Sequence, residues 1–130
     1  MALTIKSLGV GTIKNTTAKE IVAGSLGKST FVKNVSLVNN HTANAVLSGM
    51  YVRRYTKDQT GYNDYPVSPR DLTITAKTQI VLDTEITLAN SENSATPTPA
   101  IAADQLVLTF STIDSTNGVT YVVNGFERDL

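Results

Sequence analysis

The chain has 130 residues, 41% of them hydrophobic, and its 11 basic and 11 acidic residues give no formal net charge. A chain of this length forms one compact domain, so we expect a single domain over residues 1–130. Nucleic acids and membrane surfaces are recognised through clustered positive charge, and here the basic residues are scattered, so neither is an expected partner. Cysteine is absent, which excludes disulfides and thiolate metal sites and favours folding in a reducing cytoplasm.

The first segments are short and strand-like. Apolar and polar residues alternate over residues 3–6, and Val10 and Ile13 either continue this strand or begin a second. Residues 20–23 form a short apolar segment that ends at a glycine-containing turn over residues 24–27. Residues 16–23 are the best helical candidate, but they are too few and too β-branched to favour a helix.

The strongest strand pattern lies in the two runs 29–39 and 44–55. Period-two alternation in both predicts half-buried strands at the centre of the domain. The polar link over residues 40–43 predicts that the two strands form a hairpin. The side chains expected on the core face of the first run are Phe31, Val35 and Leu37.

A long loop is predicted over residues 56–69, which contain two prolines and several turn-forming residues. Loops of this length in a compact domain are usually functional or mobile. Three tyrosines lie in or beside it, and a tyrosine ring packs while its hydroxyl keeps a polar partner. They are Tyr55, Tyr62 and Tyr65.

The next strands are predicted over residues 71–76 and 79–88. Asp83 and Thr84 mark a bulge or bend that divides the second of these into two halves. Residues 89–103 are poor in large apolar groups and contain Pro97 and Pro99. They predict an exposed, mobile loop.

Two further strands are predicted over residues 105–111 and 119–126. Between them, residues 114–118 end in Asn-Gly, the pair most typical of a type I′ hairpin turn. The sequence therefore predicts that these two strands are hairpin partners. In total the patterns indicate about eight short antiparallel strands and an all-β sandwich, of which the jelly roll is one form.

The sequence shows no catalytic set. His41 is the single histidine, and in a polar link it is expected to be an exposed loop residue. One histidine without cysteine makes no multi-histidine zinc set within a single chain, and only a three-fold assembly could bring three copies of it together. Asp83 and Glu85 would share a strand face and are expected to be solvated acids. No phosphate-binding, nucleophile-elbow or EF-hand motif occurs. We therefore expect no catalytic residue, no bound metal and no cofactor.

The stretch over residues 27–39, GKSTFVKNVSLVN, resembles a segment of small virion proteins of tailed bacteriophages. The resemblance continues in order through residues 68–74, 80–88 and 119–125 and ends at Glu127. Two departures stand out: Ser25-Leu26-Gly27 replaces a Pro-Ala-Gly turn, and the 89–103 loop is longer and richer in proline. The resemblance implies an all-β virion structural component without catalytic residues.

On this basis we expect a capsid decoration (cement) protein that stabilises the head lattice. Its expected partner is the major capsid protein or another virion protein, it is expected to form a homotrimer, and its expected location is the virion, assembled in the host cytoplasm. The alternatives are a tail, neck or fibre-attachment adaptor, and a carbohydrate-binding module that stacks sugars on Tyr62 and Tyr65. The candidate interface residues are Tyr55, Tyr62, Tyr65, Arg53, Arg54, Pro97 and Pro99.

Overall fold

The computed structural model describes residues 3–24, 27–56, 61–89 and 103–129, with side chains from Ser7 onward. These residues contain strands and no helix. The strands are β1 Leu3–Ile13, β2 Lys19–Ala23, β3 Lys28–Asn39, β4 Ala45–Tyr55, β5 Tyr62–Pro66, β6 Leu72–Ile74, β7 Thr78–Leu82, β8 Ile86–Leu88, β9 Gln105–Thr112 and β10 Val119–Asp129. None of the described segments is a helix long and apolar enough to cross a membrane.

The strands form two antiparallel sheets. Sheet A has the order β1-β10-β3-β7, and β8 also pairs with β3. Sheet B has the order β2-β9-β4-β5, and β6 also pairs with β4. Because β7 and β8 follow one another along β3, and β5 and β6 along β4, each sheet has four strand positions.

Counted by position in the sheets, the described residues form eight strands in jelly-roll order. The first pairs with the last (β1 with β10), the second with the seventh (β2 with β9), the third with the sixth, and the fourth with the fifth. This is the pairing produced when one long hairpin is folded over into two facing sheets. The predicted all-β sandwich of jelly-roll form is confirmed.

The predicted hairpin between the two central runs is wrong. β3 lies in sheet A and β4 lies in sheet B, so residues 40–44 cross from one sheet to the other. Asn39, buried at the end of β3, holds the crossing: its side-chain amide donates to the carbonyls of Ala43 and Ile74, both at 3.0 Å, and its Oδ1 accepts from the His41 amide. A short polar link is compatible with a turn that crosses between sheets as well as with a hairpin, so the link alone does not distinguish the two.

The second predicted hairpin fails for the same reason, because β9 belongs to sheet B and β10 to sheet A. The turn itself is present at residues 114–118, where the Gly118 amide donates to the Asp114 carbonyl at 3.0 Å. Gly118 has a φ of +67°, whereas Asn117 has no positive φ. A type I′ turn requires positive φ at both central residues, so this turn is of another type.

A bulge in β3 corrects the predicted core face. β10 pairs Asn124 with Asn34 and then Gly125 with Val32, so Lys33 is the extra residue. The extra residue reverses which side chains face inward, since alternation restarts after a bulge. Val32 and Val35 are both buried, while Phe31 turns outward and stacks on Phe126 with ring centroids 4.9 Å apart.

The core lies between the sheets and combines side chains from both. Phe110 and Leu106 from β9 and Leu47 from β4 meet Leu37 and Val35 from β3, all at most 1% exposed. Burying such side chains supplies most of the favourable free energy of a domain of this size. The members of the core are Ile13, Ile21, Val22, Val32, Val35, Leu37, Ala45, Leu47, Met50, Ile74, Leu88, Leu106, Leu108, Phe110, Val119, Tyr121 and Val123.

Two other predictions have definite outcomes. The predicted loop over residues 56–69 contains β5, which pairs with the end of β4, so part of it is an edge strand. The predicted bend at Asp83 and Thr84 is confirmed, because it separates β7 from β8 on the same partner strand. Glu85 has a φ of +46° in this bend. Asp83 and Glu85 are both exposed, and they do not share a regular strand face. Residues 90–102, with Pro97 and Pro99, lie outside the described residues.

Candidate assembly surface

The β4–β5 hairpin carries five of the seven predicted interface residues. Its register places Tyr55 opposite Tyr62, Arg53 opposite Asp64, and Tyr51 opposite Pro66. Residues at alternate positions of a strand share a face, so these three pairs form one ladder on the outer side of sheet B. Every residue of β5 is exposed, which leaves the ladder open to a partner.

Contacts within the ladder order its side chains. Arg53 donates to both carboxylate oxygens of Asp64, at 2.9 and 3.1 Å, and its guanidinium carbon lies 4.0 Å from the centroid of the Tyr62 ring. The Tyr55 and Tyr62 rings meet edge to face at 5.9 Å. The hydrogen bond to Asp64 raises the pKa of Arg53 above its ordinary value. Because the side chains are already ordered, binding a partner loses less side-chain entropy.

The other two predicted residues lie on the opposite side of the hairpin. Tyr65 pairs with Val52 and Arg54 pairs with Asn63, so both share the strand face of Val52, which packs against the core. Tyr65 stays 53% exposed. The structure therefore divides the predicted tyrosines: Tyr62 belongs to the outer ladder, and Tyr65 projects from the other face of the same edge strand.

Arg54 has a partner that the sequence did not indicate. It donates to the two carboxylate oxygens of Asp104, at 3.0 and 2.7 Å. Asp104 is fully buried directly before β9. The hydrogen bond to Asp104 raises the pKa of Arg54 above its ordinary value. The two residues are too far apart in sequence for any local pattern to join them.

Asp104 also connects three segments at this end of the sandwich. Its amide donates to the Ala89 carbonyl at 2.9 Å, and its carbonyl accepts from the Gly24 amide at 2.9 Å. Its carboxylate accepts a longer bond, 3.4 Å, from the Ala89 amide. These hydrogen bonds hold Ala89 and Asp104 next to each other. The ion pair between Arg54 and Asp104 connects both residues to the β4–β5 hairpin.

His41 lies at the opposite end, between two sheet-crossing turns. Its Nδ1 is 3.7 Å from Asp114 Oδ2 and 3.4 Å from Asn117 Nδ2. The Asn117 backbone amide, with a smaller contribution from His41, lowers the pKa of Asp114. Among the described residues, no group of three or more histidine and acidic side chains could hold a metal ion.

The fold and this surface define a small jelly-roll β-sandwich with an exposed edge hairpin. Solved structures of viral capsid proteins share the fold. A chain in the structure of infectious bursal disease virus strain Gx matches over 97% of this chain with a TM-score of 0.53 and 12% identity. A chain in T=1 particles derived from infectious bursal virus matches over 97% with a TM-score of 0.53 and 9% identity.

A mutant VP2 protein of infectious bursal disease virus, also as derived T=1 particles, matches over 96% of this chain with a TM-score of 0.51 and 9% identity. This chain spans about a third of the length of each of these chains, 32%, 30% and 31%. At such identities the likeness establishes the fold. No protein-family model matches the sequence, and no curated protein matches it.

Proposed function

We propose that this chain is a virion structural protein without enzymatic activity. The observation that carries the proposal is the jelly roll that nearly the whole chain shares with capsid chains of infectious bursal disease virus. Closed sandwiches of this kind offer flat sheet faces and edge hairpins to neighbours in a lattice. The balanced charge of the chain lets copies pack closely without strong mutual repulsion.

Within this class, we propose a capsid decoration protein of a tailed bacteriophage. The sequence resemblance of residues 27–39 and the later segments to small phage virion proteins supports this narrower role. The partner is then the major capsid protein or another virion protein, and the chain acts as a homotrimer in the virion. A tail, neck or fibre-attachment adaptor is the alternative with the same fold and a much lower copy number.

The β4–β5 hairpin is the proposed contact with the lattice. Tyr62 is 50% exposed and Tyr65 is 53% exposed, and exposed tyrosines are typical anchors of protein interfaces. Beside Tyr62, the Arg53–Asp64 pair presents both charges already satisfied within the chain. Such a surface binds through ring burial and shape, and binding needs no new ion pair.

Composition and copy number of purified virions test the proposal. Quantitative mass spectrometry should find this chain at a copy number on the scale of the major capsid protein; a number fitting one ring of a tail would favour the adaptor. Virions without the chain would refute both. In add-back experiments with particles lacking it, Tyr62→Ala with Tyr65→Ala should reduce binding about tenfold or more, since tyrosine anchors cost at least about 2 kcal/mol. Thr73→Ala, exposed on β6 of the same sheet, is the matched control.

The carbohydrate-binding alternative has less support. A sugar platform needs rings that face the same way, and Tyr62 and Tyr65 project from opposite faces of β5. The face of the Tyr62 ring next to Arg53 is also covered by the guanidinium group. Binding on a glycan array that disappears in Tyr62→Ala would nevertheless favour this function over the structural one.

A further inference from the structure

The outer face of sheet A below the β3 bulge carries no charged side chain. Three cross-strand rows cover it. The central row runs Val10–Val122–Ser36–Val81 through directly paired positions on β1, β10, β3 and β7. The flanking rows are Ser7–Asn124–Asn34 and Thr12–Thr120–Val38–Gln79. We call these eleven residues the neutral face. Charged residues border it at both ends: Lys33 at the β3 bulge with Asp83 and Glu85 in the bend between β7 and β8 at the upper border, and Lys14 after β1 with Lys77 before β7 at the lower border.

The polar groups of the neutral face pair with one another. Asn124 donates to Asn34 Oδ1 at 2.9 Å, Gln79 donates to Ser36 Oγ at 2.6 Å, and the hydroxyl groups of Thr12 and Thr120 lie 3.4 Å apart. A polar group that already has a partner costs less to remove from water than one that loses its hydrogen bond to water. Covering the face therefore leaves these three side-chain contacts in place.

Two large apolar side chains project at its two edges. Val10 on β1 is 64% exposed and Val81 on β7 is 52% exposed. Exposed β-branched residues on edge strands favour association with another surface. Because both valines belong to the same row, the row has the same residue at either end.

We propose that the neutral face binds the neutral face of a second copy of this chain across a two-fold axis. An axis parallel to the strands, between β10 and β3, places β1 of each copy on β7 of the other. Val10 then meets Val81 of the second copy, Asn124 meets Asn34, and Thr12 meets Gln79. An isologous contact brings identical patches together, so an uncharged patch avoids the like-charge repulsion that a charged one would suffer.

The size of the face sets the strength of this contact. Four strands about 4.8 Å apart and three rows about 7 Å apart cover about 400 Å² per copy, or about 800 Å² in the pair. Stable interfaces bury more than this, so the purified chain should form a weak dimer that assembles as its concentration rises. Many copies held on one particle would strengthen the contact through avidity.

Sedimentation equilibrium over a wide concentration range tests the contact on the full chain. The wild type should move toward a mass of two copies, or toward two trimers if the proposed trimer also forms. Val10→Glu and Val81→Lys should each raise the dissociation constant about tenfold or more, since each buries an unpaired charge. The double variant Val10→Glu with Val81→Lys should recover most of this loss, because the new carboxylate faces the new ammonium group across the axis.

The double variant is specific to the proposed register, since within one chain the two positions are about 14 Å apart, three strand spacings. Thr73→Glu, exposed on sheet B, is the charge control, and unchanged circular dichroism shows that the variants fold. A wild type that stays monomeric, single variants without effect, or a double variant no better than the singles would overturn the proposal. The contact does not depend on the proposed function: a dimeric chain missing from virions would refute only the virion role.

Discussion

Arg54 and Asp104 form a two-pronged ion pair in which the carboxylate is fully buried and the arginine side chain is 45% exposed. The pair joins the end of β4 to the residue directly before β9. Asp104 is also hydrogen-bonded to Ala89 through its backbone amide. The burial is unequal, so the two partners should respond unequally to substitution.

We expect Arg54→Met to destabilise the protein by about 3 kcal/mol, because it leaves the buried Asp104 carboxylate without its main partner. Asp104→Asn should cost only about 1–2 kcal/mol, because the half-exposed arginine can turn to water. Urea unfolding of both variants and the double variant measures the difference. Arg53→Met, which breaks the pair with the partly exposed Asp64 carboxylate, is the control and should cost at most about 1 kcal/mol. Equal costs for the two Asp104-pair variants would contradict this account.

Gly118 should not tolerate a side chain. Its φ is +67°, and a Cβ there would lie 2.3 Å from the Ile13 carbonyl oxygen. Gly118→Ala should therefore lower the unfolding free energy by at least about 1–3 kcal/mol, the usual cost of a strained backbone conformation. Gly61→Ala is the matched control, since no atom of the described residues lies within 4 Å of its Cβ position, and thermal unfolding should show little change. A Gly118→Ala protein as stable as the wild type would mean that this turn adopts another conformation.

Asn39 should be essential to the crossing between β3 and β4. Asn39→Leu removes two donated hydrogen bonds and one accepted bond from a buried site. The substitution leaves the buried Ile74 carbonyl without the Asn39 amide that donates to it. We expect the unfolding free energy to fall by about 2–4 kcal/mol. Asn40→Leu, next along the chain and exposed, should change the unfolding free energy by less than about 0.5 kcal/mol. Equal effects at the two positions would show that the crossing does not depend on Asn39.

Asp114 should contribute stability that depends on acid pH. The Asn117 amide lowers the pKa of Asp114 below its ordinary value of 3.8 in the folded protein. A carboxyl group with a lower pKa in the folded state stabilises fully above the unfolded pKa and loses that contribution as pH falls through the folded one. The melting-temperature difference between wild type and Asp114→Asn should therefore be present above about pH 3.8 and shrink as the pH falls below that value. Ser115→Ala, in the same turn, should differ from the wild type by a constant amount across this range.

Local patterns were enough to predict most strands, because alternation of apolar and polar residues depends only on which side of a sheet each residue faces. Residues 29–39, 105–111 and 119–126 are strands, and the bend at Asp83 and Thr84 lies where the polar residues interrupt the pattern. The all-β sandwich also followed from composition and turn spacing. None of these features requires knowledge of which strand pairs with which.

Pairing was decided by the tertiary structure. A strand with one buried face alternates identically whether the next strand joins its own sheet or the facing one. The sequence therefore predicts hairpin connections at residues 40–43 and 114–118, although the chain crosses between the sheets at both places. The bulge at Lys33 depends on β10, and it alone turns Phe31 away from the core. The Arg54–Asp104 pair and the neutral face likewise join residues distant in sequence, and only the folded sheets bring them together.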